Sequence, residues 1–298
     1  MEQHKFNLIW MQGQTCDGNS MSVINATNPD FLTFLEQNNI NLLYMPTISP
    51  IFGEEAAALF KNCLKGKIPV QIFIFEGAVP TKAGFGDYFG GNDVRKMVQN
   101  FAGQAMLTVA MGSCAAFGGI PNTPPNESGA VGLQWDHYTI GGLLGEQYMS
   151  AIGMPVVNIP GCPAHPDWLM LTLQSFINGK AIALDKYNRP LDIFNEKVHR
   201  GCNSCEFNDH KLYAENFTDV GCLEQGLGCK GKEVSGDCNI RLWLGASSCT
   251  RSGHPCIGCT DPGFPSIMMP FQKPRPKKYP LDLTEEIKQR DIINKGGE

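Results

Sequence analysis

The sequence predicts an α/β chain: a doubly wound parallel sheet over residues 1–185, a small irregular domain over 186–264, and a Pro- and Lys-rich tail over 265–298. Three observations lead there. Short apolar runs alternate with segments of helical spacing through the first part, the pattern of a parallel sheet covered by helices. That periodicity then fades after about residue 185. Finally, Cys202, Cys205, Cys222, Cys229, Cys238, Cys249, Cys256 and Cys259, eight of the twelve cysteines, fall in the irregular part.

The runs Phe6–Trp10, Leu42–Met45, Val70–Phe75, Met106–Met111 and Val156–Ile159 read as buried strands. Helical spacing marks Pro29–Asn38, Glu54–Lys65, Asp93–Gly103, Gly141–Ile152 and Trp168–Asn178. In such a sheet ligands collect beyond the carboxyl ends of the strands, near the switch in strand order. The early cysteines obey that rule. Cys16 follows the first strand, Cys114 the fourth and Cys162 the fifth, and Glu76 follows the third. Any one of these cysteines could be a small buried hydrophobe. Three at the same structural position, each near glycine, point to a shared metal site. Cys63 lies inside a helix-like segment and reads as packing.

With 42% hydrophobic and 18% charged residues, the chain is that of a globular protein. The net charge of −5 and the lack of a basic stripe with interleaved aromatics argue against nucleic acid as a partner. No run of about twenty apolar residues would span a bilayer. The opening MEQHKFNLIW shows no signal-peptide pattern, so a cytoplasmic place, with at most peripheral membrane contact, is expected. Thiols there stay reduced, which makes these cysteines metal ligands rather than disulfides.

The stretch from Cys238 to Phe264 is the densest. Cys238, Cys249, Cys256 and Cys259 suit a tetrahedral metal or the four corners of an iron–sulfur cubane, and Cys256 and Cys259 form a CxxC. A structural zinc ribbon remains the alternative. HRGCNSC adds His199, Cys202 and Cys205, and CLEQGLGC adds Cys222 and Cys229, ligands enough for two more centres. A flavin phosphate cradle at GQTCDGNS is a competitor for the sheet edge, though a thiolate beside a phosphate is a poor choice.

In order along the chain, WMQGQTCDG, FEGAVP, GSCAAFGGIP, PGCPAHP, HRGC, GCLEQGLGCKG and GHPCIGC resemble the small, electron-transferring subunit of NiFe hydrogenases. The related quinone-reducing respiratory complex subunit shares the first domain only. The resemblance implies a flavodoxin-like first domain and a second domain holding iron–sulfur clusters. It also implies a large-subunit partner carrying the nickel–iron site, and an acceptor such as a quinone or a redox protein. It assigns Cys16, Cys114 and Cys162 to a proximal cluster, Cys238, Cys256 and Cys259 to a medial one, and His199, Cys202, Cys222 and Cys229 to a distal one. Glu76 matches a carboxylate at the subunit interface, with a proton-relay role.

Three departures from the family pattern stand out. Cys16-Asp17-Gly18-Asn19 replaces the usual CxxC, so the proximal centre is expected to have three irons, or four with an oxygen ligand from Asp17, Asn19 or water. Losing a thiolate raises the potential and favours hydrogen uptake. Cys249 stands where many members carry Pro, implying a four-iron medial cluster. Cys205 is an extra thiol that spacing alone would pair with Cys202, whereas the resemblance prefers His199. With no export signal expected, the Cys16–Asn19 motif resembles that of cytosolic uptake hydrogenases of the cyanobacterial type and their oxygen-tolerant relatives, with hydrogen-sensing regulatory members as the second reading.

Overall fold

A computed structural model describes residues 6–88 and 91–265 of the chain. Its centre is a five-stranded parallel sheet: β1 (Phe6–Gln12), β2 (Ile40–Tyr44), β3 (Ile72–Glu76), β4 (Leu107–Met111) and β5 (Val157–Ile159). The strands lie in the order β5-β4-β3-β1-β2, so the order reverses between β1 and β3. Gln12 is in register with Glu76, and Glu76 with Met111. All carboxyl ends therefore open on one edge, with Glu76 at its middle.

Every residue of β3 and β4 is buried, as expected of strands covered on both faces. Alternate residues face opposite ways. Leu8, Trp10, Ile72, Ile74, Val109 and Val157 pack with α2 (Phe31–Gln37) and α6 (Pro166–Ile177), while Ile9, Met11, Phe73, Phe75 and Ala110 pack with α3 (Gly53–Leu64) and α4 (Val94–Gln104). In α4 the buried Val94, Met97, Val98, Phe101 and Ala102 form one apolar stripe. Cys63 is fully buried in the second of these cores, a packing residue as its helical setting suggested.

One expected helix does not form. Residues 141–152 are turns and loop, because Gly141, Gly142 and Gly145 hold φ of 152°, 44° and 81°. Their neighbours bond elsewhere: Leu143 and Leu144 donate backbone N–H to the carbonyls of Gly132 and Leu133 at 3.1 and 2.8 Å. A Cβ on Gly142 would lie 2.6 Å from the Trp135 nitrogen, so the helical pattern yields to a close backbone crossing. Conversely, two short helices not apparent in the sequence, α1 (Gly18–Ile24) and α5 (Ser113–Phe117), follow β1 and β4.

After α6 the chain runs through short turns of helix around a third core of Val198, Ala214, Leu223, Val234 and Phe264, into which Cys229 and Cys256 also pack. Within the described residues no helix is long and apolar enough to cross a membrane. The tail expected over 265–298, with its amphipathic stretch Leu281–Asn294, lies outside them from residue 266.

Candidate metal centres

The first group sits at the switch in strand order. The loop after β1 is pinned to β3 and the residues beyond it, with Gly13 N–H donating to the Glu76 carbonyl at 2.8 Å and Gln14 N–H to that of Ala78 at 2.9 Å. It carries Cys16, exposed, to the edge. Cys114 rides in the single turn of α5, and Gly112 and Ser113 donate backbone N–H to Ile159 and Gly161, which anchors that turn to the Cys162 loop. Space beside the sulfurs is kept by glycine: a Cβ on Gly119 would lie 2.8 Å from Cys114 Sγ, and one on Gly18 3.2 Å from Cys16 Sγ. Burial first, then the nearby Cys162, Cys16 and Glu76, push the Cys114 thiol up to about 12. Burial and Cys16 likewise raise Cys162. Such thiols hold their protons in the metal-free chain and release them when a metal takes their place on sulfur.

Glu76 is fully buried, and all its partners donate to it. Trp10 Nε1 and Gln12 Nε2 reach Oε2 at 3.2 and 3.1 Å. The Thr15 hydroxyl, the Asn19 backbone N–H and Asn19 Nδ2 reach Oε1 at 3.1, 2.9 and 3.4 Å. Asp17 differs sharply. It is exposed, left-handed at φ 62°, and its carboxylate makes no capping bond to α1.

The second group surrounds a cavity of about 110 Å³. Cys238, Cys249, Cys256 and Cys259 line it, and so does Cys162 from the first group; Trp168, Val198, Trp243 and Ile257 close its apolar walls. Cys256 is pushed well above the usual thiol range by burial and by Cys259, and Cys238 to about 12 by burial and Cys249. Cys259 is raised by burial, then by Cys238. Backbone N–H groups already point at sulfur here, Gly258 donating to Cys256 Sγ at 3.4 Å. Among the described residues no three His, Cys, Asp or Glu converge on a position for one metal ion. The four sulfurs stand instead around a space, a donor set that fits a cluster.

The third group is at the far end. His199 lies on a 3-10 turn that ends at Cys202, and Cys222 and Cys229 flank a short helix, Glu224–Leu227. His199 N–H donates to the Gly231 carbonyl at 2.8 Å, and a Cβ on Gly231 would lie 3.6 Å from Cys229 Sγ, so the His199 and Cys229 segments run side by side. Ser204 N–H and Asn208 Nδ2 donate to Cys202 and Cys222 sulfur at 3.4 and 3.5 Å. Burial, then Lys232, lowers the His199 pKa and favours the neutral imidazole that binds metals. Cys205 begins the next helical turn, half-buried, its thiol raised by burial first and then by the nearby Asp209. The second and third groups touch directly, Cys256 N–H donating to Cys229 Sγ at 3.1 Å.

Two contributors escaped the sequence reading. Ser113 Oγ accepts Gly161 N–H at 2.9 Å and donates to the Cys259 carbonyl, joining the first group to the second. Arg189, buried against Asp185, donates from Nη1 to the Thr260 carbonyl at 2.9 Å. The Ser preceding Cys114 was a visible signal for the first; nothing local marked the second.

Two family models match the chain: that of the NADH ubiquinone oxidoreductase 20 kDa subunit over residues 16–176, and the C-terminal model of the NiFe/NiFeSe hydrogenase small subunit over residues 194–272. The F420 non-reducing hydrogenase II small subunit of Methanosarcina mazei is 35% identical, over 91% of this chain and 76% of its own. The periplasmic [NiFeSe] hydrogenase small subunit of Desulfomicrobium baculatum is 32% identical, over 90% and 87%. Among solved structures, the actinobacterial-type NiFe-hydrogenase from Ralstonia eutropha H16 superposes with a TM-score of 0.82 at 30% identity, covering 98% of this chain and 91% of that one.

Proposed function

Because the chain belongs to the small-subunit family of the NiFe hydrogenases, we propose that it is the electron-transferring subunit of an uptake hydrogenase. It pairs with a large subunit that holds the nickel–iron site and oxidises H2. Three iron–sulfur clusters, when bound, supply one-electron transfer toward an acceptor such as a quinone or a redox protein, in the cytoplasm. One observation carries this reading. Cys162 belongs to the loops at the sheet edge and also lines the cavity of Cys238, Cys249, Cys256 and Cys259, whose Cys256 N–H bonds Cys229 Sγ. The three groups are thus contiguous, as a relay requires.

Cys16, Cys114 and Cys162 would hold the proximal cluster. That centre would have three irons, or four with an oxygen ligand from water or from Asp17, whose exposed carboxylate makes no helix-cap bond. Cys238, Cys249, Cys256 and Cys259 would hold a four-iron medial cluster. His199, Cys202, Cys222 and Cys229 would hold the distal one, where a neutral imidazole in place of a thiolate raises the potential at the exit. The N–H donors on Cys202, Cys222, Cys229 and Cys256 spread the charge of their sulfurs and hold them in place. Glu76, at the end of β3 and bonded to β1 and the residues after it, would take part in proton relay at the subunit interface.

The test is hydrogen-dependent dye reduction by the anaerobically purified heterodimer. Fast steady-state reduction is expected. Very slow reduction by the same iron-containing complex would favour a hydrogen sensor, and colourless, zinc-containing protein without acid-labile sulfide would favour a structural module.

A further inference from the structure

Asn19 occupies the position where the usual CxxC places its second thiolate, yet both polar atoms of its amide are committed elsewhere. Oδ1 accepts Ala164 N–H at 2.9 Å, and Nδ2 donates to Glu76 Oε1 at 3.4 Å. The backbone N–H of the same residue donates to that carboxylate oxygen at 2.9 Å. Asn19 is 7% exposed. Its amide also lies flat against Gly112, φ 87°, where a Cβ would come 2.2 Å from Nδ2. One short side chain therefore touches the carboxyl ends of all four neighbouring strands. It stands on the turn after β1, meets Glu76 at the end of β3, packs on Gly112 after β4 and holds Ala164 in the loop after β5.

We propose that Asn19 is a positioning residue and not a cluster ligand. Its amide supplies, through hydrogen bonds, the tie between the Cys16 and Cys162 loops that a shared metal centre with a fourth thiolate would otherwise supply. To reach iron, Oδ1 would have to leave a buried N–H without an acceptor and Nδ2 would have to leave a buried carboxylate, and both moves are costly in a dry site. The tie also explains why a neutral amide, a weak ligand for iron, occupies this position. A loop set closed by an amide is pre-shaped before any metal arrives.

The proposal rests on Cys16, Cys114 and Cys162 being iron–sulfur ligands, and the experiment separates the two ideas. The heterodimer is purified anaerobically as wild type, Asn19→Ala and Ala164→Pro, the last removing the N–H that Asn19 accepts while leaving the Asn19 amide itself in place. Iron and acid-labile sulfide per complex are counted, and the proximal centre is followed by EPR during a redox titration. An iron-free wild-type complex would overturn the reading of the cysteines and the proposal with it. Given iron in the wild type, both variants are expected to keep its full iron and sulfide count. Both are also expected to show the same altered proximal line shape and shifted midpoint, a signature that mere loss of stability does not produce. Loss of iron in either variant would make the Asn19 amide or its tie part of the coordination and overturn the proposal. Wild-type spectra in both would show the amide to be a bystander and overturn it as well. Should Asn19→Ala fail to yield heterodimer, Ala164→Pro decides on the same two criteria.

Discussion

What a cysteine does in this chain depends on what its sulfur faces. Cys63 is fully buried among Phe60, Val98 and Phe101, and burial alone pushes its thiol up to about 11, the state of an inert packing group. Cys249 shares a cavity wall with Cys238, Cys256 and Cys259, and with Cys162 from the sheet edge. Replacing it by Pro removes one corner of that set while leaving Cys238, Cys256 and Cys259, so Cys249→Pro is expected to convert a four-iron medial centre to a three-iron one, seen as a new oxidised-state EPR signal. The proposed distal site offers a sharper choice. His199→Ala is expected to lose the distal cluster and Cys205→Ala to retain it, by iron count; the reverse result would exchange their roles.

At the scale of elements, the sheet strands and α2, α3, α4 and α6 were legible because each carries an unbroken apolar period. Helices α1 and α5 were not. GNSMSVI and SCAAF are too short to show a period, and they form because their first turns are pinned by loops from other strands. The stretch 141–152 fails the other way, a helical spacing overruled by left-handed glycines, one of which, Gly142, sits at a close backbone crossing. Capping follows local rules more faithfully. Asp93 accepts Arg95 N–H at 2.9 Å and pairs with the same guanidinium, which holds its carboxyl below the usual range. Asp93→Ala is expected to cost about 1 kcal/mol at neutral pH, read as a lower Tm with iron content unchanged. A lowered folded-state pKa means that this contribution is present above the usual carboxylate range and is lost as pH falls through the lowered value. The deficit of the variant should therefore shrink toward acid.

The whole molecule divides by what fills its interior. Two apolar cores lie on either side of the sheet, the first taking in Ile193 and Phe194 from beyond α6, while the chain after Phe194 gathers a small third core in which Cys229 and Cys256 are themselves members. Removal of iron by a chelator under reducing conditions is expected to leave the sheet domain folded and to melt the second. Limited proteolysis should then yield a resistant fragment ending just beyond Phe194, and uniform digestion of the whole chain would contradict that. The sequence placed Cys16, Cys114, Cys162 and Glu76 at one edge because a parallel sheet aligns its carboxyl ends. It could not partition the later cysteines by spacing, since Cys202 and Cys205 look paired along the chain, and Cys229 meets Cys256 only across the fold. Those contacts are long-range and leave no local trace.

The double position of Cys162 has a consequence for how such a chain can change over generations. Cys16 and Cys249 each serve one neighbourhood, so a substitution at either can be absorbed by adjusting one turn. Cys162 sits in the party wall between two neighbourhoods, its loop tied by Asn19 and Ser113 on one side and its flank forming part of the cavity on the other. Any replacement there is pleiotropic, and no single compensating change can repair both sides at once. In a saturation library selected for hydrogen-dependent growth, Cys162 should thus accept no alternative, even in backgrounds where Cys16 or Cys249 has already been lost and partly rescued.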